Sequence, residues 1–184
     1  KPFALIAALQ AGIPLSSVWN GDSPKVFDDA GKPYMVSNYG DKEFGDMTLL
    51  KATASSVNTV FVPLGMKAGL NNVVDVARRA GIPDSVEMWA TPSVSLGVAS
   101  PHVIDVASAY ATFASGGVYA KPFMVTSVVG ANKGVLYEAT PQTSEVFSKD
   151  VYTISFLFCF LMKKFAYDEQ YIVLLDPLFI NLLN

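Results

Sequence analysis

From Phe3 to Leu9 the chain runs Phe3-Ala4-Leu5-Ile6-Ala7-Ala8-Leu9 without a polar interruption. So dense a run of helix formers predicts a helix buried on most sides, ended by a left-handed Gly12 and tolerating Pro2 only in its first turn. From Trp19 to Tyr39 the apolar residues are scattered among Gly, Asp, Ser, Pro and Asn. That pattern predicts turns with at most one short strand, connecting elements rather than building core.

Thr48 is placed to cap a helix through Leu49, Leu50 and Ala52 toward Ser56, where Ser55, Ser56 and Asn58 favour a helix end over its interior. Two further helices are predicted: a short one from Thr59 to Met66, limited by Pro63, and one from Asn71 or Asn72 through Val74, Ala77 and Ala80, terminated by Gly81. The clearest helix signal is Ser100-Pro101, cap and first residue, leading into Val103, Val106, Ala107, Tyr110, Ala111 and Phe113 at helical spacing before Gly116-Gly117. Beyond it, Phe123 to Val129 and Val135 to Tyr137 are β-rich runs around Gly130-Ala131-Asn132-Lys133-Gly134, and predict a hairpin.

At Tyr152 the pattern breaks. Ala, Gly and Val dominate up to that point, whereas the remainder is Phe, Leu, Ile, Tyr and Asn with no Gly. The run Ile154 to Met162 is strongly apolar yet too short to span a bilayer before Lys163-Lys164, so a buried helix or strand is favoured over a membrane anchor. A third reading is a change of reading frame, since Phe, Ile, Tyr, Asn and Lys share A/T-rich codons.

Composition narrows the function classes. With 51% hydrophobic residues over 184 positions, one domain with a substantial core, or most of a larger one, is expected. A net charge of -3, with arginine only at Arg78 and Arg79, provides no basic stripe for nucleic acid. One cysteine, Cys159, and one histidine, His102, leave no soft metal-ligand cluster. Sparse cysteine fits the cytosol and exported bacterial proteins equally, and no export signal opens the chain.

The candidate chemistry lies in Lys1 and in Ser56-Val57-Asn58. Either alone is an ordinary solvated lysine or a capping tripeptide. Around them stand Lys1-Pro2-Phe3 with Leu9-Gln10-Ala11-Gly12-Ile13, Val36-Ser37-Asn38-Tyr39-Gly40, Thr48-Leu49 with Ala52-Thr53, Leu96-Gly97 with Ser100-Pro101-His102-Val103-Ile104-Asp105, and Ala109 to Ala114 with Gly116-Gly117. In that order, from Lys1 to about Val151, they resemble the transpeptidase domain of class A penicillin-binding proteins, with wording closest to the actinobacterial branch.

The resemblance implies an α+β fold, the penicillin-binding protein/serine β-lactamase-like architecture in which a helical subdomain packs on an antiparallel sheet, here incomplete. It divides the chain into residues 1–151, a partial transpeptidase domain, and 152–184, an atypical apolar tail. It carries catalytic roles onto Lys1, as the lysine of Ser-x-x-Lys, and onto Ser56 and Asn58, as Ser-x-Asn. A serine hydroxyl needs a nearby base, which a lysine of lowered pKa can be; Ser56 would relay the proton to the leaving amine, and Asn58 would hold the substrate backbone.

The implied reaction is attack by an active-site serine on a D-alanyl-D-alanine stem peptide of peptidoglycan, with transfer to a neighbouring amine and trapping by β-lactams. No cofactor or metal is implied, nor nucleic acid; membrane attachment would run through an N-terminal anchor, at the extracytoplasmic face of the bacterial membrane. The departures are equally specific. The attacking serine would stand three residues before Lys1, and no Lys-Thr-Gly occurs in the sequence. This polypeptide is therefore expected to be inactive alone, the alternative reading being a truncated or frameshifted product with only a structural or binding role. His102 is read as a first-turn surface or packing residue, Tyr110 and Phe113 as core, Trp19 and Trp89 as partly buried or lining a groove, and Arg78-Arg79 as helix-end charges.

Overall fold

In the computed structural model, residues 1–148 are described, and the expectations for Cys159 and the apolar run from Ile154 to Met162 lie outside them. Helix α1 (Pro2–Gln10) begins at Pro2 and is followed by Gly12 at φ +77°. Its Ala4, Leu5, Ile6, Ala7 and Ala8 are all buried, and it packs on α3 (Asn58–Ala68) and α4 (Leu70–Ala80). Small side chains on α1 let these helices approach closely, and the core they share includes Val60, Phe61, Leu64, Val73, Val76 and Ala80.

The stretch expected to be turns holds more regular structure than its composition suggests. Strand β1 (Val18–Asn20) pairs antiparallel with β4 (Asp46–Thr48), and β2 (Lys25–Asp29) pairs with β3 (Lys32–Val36). The second pair turns through Ala30 and Gly31, both at positive φ, with the Gly31 amide donating to Asp28 Oδ1 at 3.1 Å. Mirror-type turns of this kind usually announce themselves as Asn-Gly or Asp-Gly, and alanine in the first place hides the signal. Val36 and Asn38, at the end of this hairpin, are buried, so the segment does contribute to the interior.

Thr48 caps α2 (Leu49–Ala54) by accepting from the Lys51 amide at 3.3 Å. Helix α3 covers the expected Thr59–Met66 and continues to Ala68, with Pro63 inside it. An interior proline costs about 3 kcal/mol, but the fully buried Val60, Phe61 and Leu64 each stabilise by about 1.5–3 kcal/mol, and the packed face prevails. Helix α4 ends at Ala80 with Gly81 at φ +124°, where a Cβ would lie 2.7 Å from the Tyr119 ring.

Helix α5 (Val103–Ala114) starts two residues later than the Ser100-Pro101 signal implies. The Asp105 carboxylate accepts from the His102 amide at 3.1 Å, which makes His102 the cap residue and leaves Ser100-Pro101 outside the helix. Phe113 is core, as expected, whereas Tyr110 is exposed and lies edge-on to it. The chain then forms β5 (Val118–Ala120), β6 (Ser127–Val129), β7 (Val135–Glu138) and β8 (Thr143–Glu145). Strands β6 and β7 form the expected hairpin, and β5 pairs with β8.

The two arginines do more than offset a helix end. Arg78 donates to the carbonyls of Pro83 and Val86 and pairs with Asp84 at 3.4 Å, closing the loop after α4. Arg79 reaches Asp75 at 2.7 Å, Gln10 Oε1 at 3.1 Å and the Val146 carbonyl at 2.9 Å, and stacks over Phe147, joining α1, α4 and the segment after β8. Mixed helix and antiparallel strand make this an α+β fold. No helix among the described residues is long and apolar enough to cross a membrane.

Candidate functional site

Lys1 occupies the cap position of α1, with its backbone carbonyl accepting from the Leu5 amide at 3.0 Å. Because α1 lies against α3, its cap residue falls beside Ser56 and Asn58 at the entry to α3, 55 and 57 positions away along the chain. The Lys1 Nζ donates to Ser56 Oγ at 2.8 Å, to the Ser56 carbonyl at 2.9 Å and to Asn58 Oδ1 at 2.6 Å. All three residues singled out by the sequence therefore meet at one amine.

Ser56 reaches this position through its backbone. It stands in the tight turn between α2 and α3 at φ +52°, a left-handed conformation uncommon for a residue with a Cβ. The turn is closed by the Ser56 amide on Thr53 O at 3.1 Å and the Val57 amide on Ala52 O at 3.0 Å, and is plugged by the buried Val57. Strained non-glycine residues persist where their surroundings over-determine them. Here the turn aims both the Ser56 hydroxyl and its carbonyl at Lys1.

Asn58, the first residue of α3, is held at both ends of its amide. Oδ1 faces Lys1, while Nδ2 donates to the Ser37 carbonyl at 2.8 Å, leaving one Nδ2 hydrogen free of that bond. Below the amine, the Phe61 ring centroid lies 6.0 Å from Nζ. Burial pushes the Lys1 ε-amine below its ordinary pKa of 10.5, because desolvation disfavours the ammonium. The three oxygens around it are all neutral, so no carboxylate among them restores the charged form. A lysine in this setting is prepared to take up a proton, with a hydroxyl at 2.8 Å to relay it.

Ser37 and Asn38, quoted in the sequence only as wording shared with a family, prove to brace the site. Their location in a polar, turn-like stretch gave no signal of chemistry. Of the groove candidates, Trp19 is half-buried and donates to Ser17 Oγ at 2.8 Å, while Trp89 is exposed. The His102 side chain is 85% exposed, as a surface residue would be. Among the described residues no His, Cys, Asp and Glu cluster could hold a metal ion.

Comparison with known proteins bears on this arrangement. The family model described as the penicillin binding protein transpeptidase domain matches residues 1–154. Penicillin-binding protein 1A of Aquifex aeolicus is 33% identical over 150 residues, covering 81% of this chain and 20% of that protein. Penicillin-binding protein 1A of Mycobacterium tuberculosis is 35% identical over 154 residues, covering 76% of this chain and 18% of that one. The chain thus spans about a fifth of the length of these curated relatives. Among solved structures, the PonA1 protein of Mycobacterium tuberculosis in complex with penicillin V superposes with a TM-score of 0.72 at 32% identity, over 84% of this chain and 43% of that one.

Proposed function

Because the chain belongs to the transpeptidase-domain family of penicillin-binding proteins, we propose that it is part of a serine D,D-transpeptidase that cross-links peptidoglycan stem peptides and is acylated by penicillin. One observation carries this reading: Nζ of Lys1 converges with Ser56 Oγ and Asn58 Oδ1 at 2.8 and 2.6 Å. A lysine amine of lowered pKa beside a hydroxyl and an oriented amide is what acyl transfer to a serine requires.

In this reading the nucleophile is the serine of Ser-x-x-Lys, three residues before Lys1 and so on the same face of one helix. Its hydroxyl oxygen attacks the carbonyl carbon of the D-alanyl-D-alanine bond, and its proton passes to Nζ of Lys1. Ser56 relays a proton from Lys1 to the amine of the departing D-alanine as the C–N bond breaks, leaving the acyl-serine. An amine from a neighbouring strand then attacks that ester, gives up its proton along the same route and releases the serine. The free Nδ2 hydrogen of Asn58 holds the substrate's peptide carbonyl. The reaction requires no metal or organic cofactor, and its substrate sets the working location at the extracytoplasmic face of the bacterial membrane.

We further assign residues 1–151 to the partial transpeptidase domain and residues 152–184 to an atypical apolar tail. A second reading, a polypeptide retaining the fold with a structural or binding role only, is separated from the first by labelling with a fluorescent penicillin. The 184-residue polypeptide is expected not to label. One lengthened to include Ser-x-x before Lys1 and a Lys-Thr-Gly strand is expected to label, and to lose labelling with Lys1→Ala. Labelling of the 184-residue chain at a serine, or none in the folded longer chain, overturns the reading.

A further inference from the structure

Helix α3 lacks a cap of its own: its N-cap residue is Val57, whose side chain accepts nothing from the first turn. The amide of Thr59 is one of the donors that a helix N-terminus leaves without an intrahelical partner, and Thr59 is fully buried. Its acceptor comes from 21 residues earlier, Asn38 Oδ1 at 3.1 Å, which also takes the Thr59 hydroxyl at 3.2 Å. The other end of the same side chain donates from Nδ2 to the carbonyls of Gly21 and Lys42, each at 2.9 Å. Asn38 is 5% exposed and its amide makes all four bonds it can make, so nothing remains for a ligand. It is a brace.

What it braces is the amide of Asn58. The Ser37 carbonyl and the Asn38 N–H belong to a single planar peptide unit and point in opposite directions. On one side the Asn38 N–H donates to Ser23 Oγ at 2.9 Å; on the other the Ser37 carbonyl accepts Asn58 Nδ2 at 2.8 Å. With Nδ2 captured there, Oδ1 is the end of Asn58 turned to Lys1, at 2.6 Å. Were the peptide plane free to rotate, Asn58 Nδ2 would lose its fixed acceptor, and the side-chain amide would be held by the Lys1 contact alone.

We propose that Asn38 is the positioning residue of this site: it caps α3 from a distant loop and, through the Ser37–Asn38 peptide, fixes the amide of Asn58 with its oxygen on Lys1. The assignment of Asn58's orientation as functional rests on the transpeptidase reading above; the positioning itself does not.

The test uses the whole 184-residue chain. In its NMR spectrum, the two side-chain amide protons of Asn58, one bonded to Ser37 and one not, are expected to be well separated. Asn38→Ala should draw them toward free-asparagine values and raise hydrogen exchange at the Thr59 amide by about tenfold, as for loss of a buried hydrogen bond. Ser23→Ala, which unpins only the peptide plane and guards against a failure of the first variant to fold, should move the Asn58 pair less, in the same direction, with Thr59 exchange unchanged. Val73→Ala, a core truncation in α4, should leave the Asn58 pair in place although it lowers stability. Asn58 signals that coincide with wild type in whichever of Asn38→Ala and Ser23→Ala folds overturn the assignment. Penicillin labelling of the lengthened chain is scored separately, so the brace and the reaction can fail independently.

Discussion

Replacing Asn58 by aspartate exchanges Nδ2, bonded to the Ser37 carbonyl at 2.8 Å, for oxygen, and makes the neutral Oδ1 that lies 2.6 Å from the Lys1 amine part of an anion. Two unit charges 4 Å apart at an effective dielectric of 20 attract by about 4 kcal/mol. Lys1 is partly exposed, so solvent screening reduces the net gain to about 1 kcal/mol. At 1.36 kcal/mol for each pKa unit, the ε-amine should rise by somewhat under about one unit from its depressed value. The assay is the titration of the Lys1 Cε carbon by NMR in the 184-residue chain, for wild type, Asn58→Asp and Asn58→Ala. The alanine variant removes the oxygen without adding charge and distinguishes attraction from mere admission of water. In a lengthened, penicillin-reactive chain acylation should fall, because the variant both raises the pKa of the amine and removes the Nδ2 hydrogen assigned to the substrate. A midpoint that stays or falls in Asn58→Asp, or rises equally in Asn58→Ala, refutes the electrostatic reasoning.

Two further outcomes follow from particular contacts. The folded state holds the Lys1 amine below its unfolded pKa of 10.5, so between those two values the unfolded chain binds more protons and stability should increase with rising pH. Denaturant unfolding across that window should show an increase that Lys1→Met lacks; equal profiles would mean that the amine is not desolvated. Gly65, within α3, would carry a Cβ only 1.9 Å from Ser95 Oγ, a hydroxyl buried without a hydrogen-bond partner among the described residues. Overpacking of about 1–3 kcal/mol outweighs the helix gain of about 1 kcal/mol, so Gly65→Ala should lower the melting temperature. Ser95→Ala should be neutral or stabilising and should relieve part of that loss in the double variant. Equal losses in both backgrounds would show that the clash is not the cause.

Much of the helical architecture was determined by the sequence alone, because the forces that set it act within a turn or two. The apolar run after Pro2, the Thr48 cap, the glycine after Ala80 and the β-rich runs around Gly130 and Gly134 each contain their own signal, and the elements stand where those signals put them. The order of short motifs likewise identified the family without any contact being known. What went unread was set by partners far along the chain. Packing of Val60, Phe61 and Leu64 carried α3 beyond Met66 to Ala68, and a carboxylate at Asp105 moved the start of α5 past Ser100-Pro101.

The site divides along the same line. Residue types and their likeness to a family nominated Lys1, Ser56 and Asn58, but a separation of 55 positions carries no local information that an amine and a hydroxyl will meet. Only the docking of α1 on α3 brings them together, and only burial in that junction lowers the lysine pKa. Asn38 marks the limit most sharply. Its sequence neighbours describe a polar turn, while its four side-chain bonds, to Gly21, Lys42 and twice to Thr59, exist because three separate segments close around it. Hydrogen bonds between such segments depend on the whole chain's packing, which no window of the sequence contains.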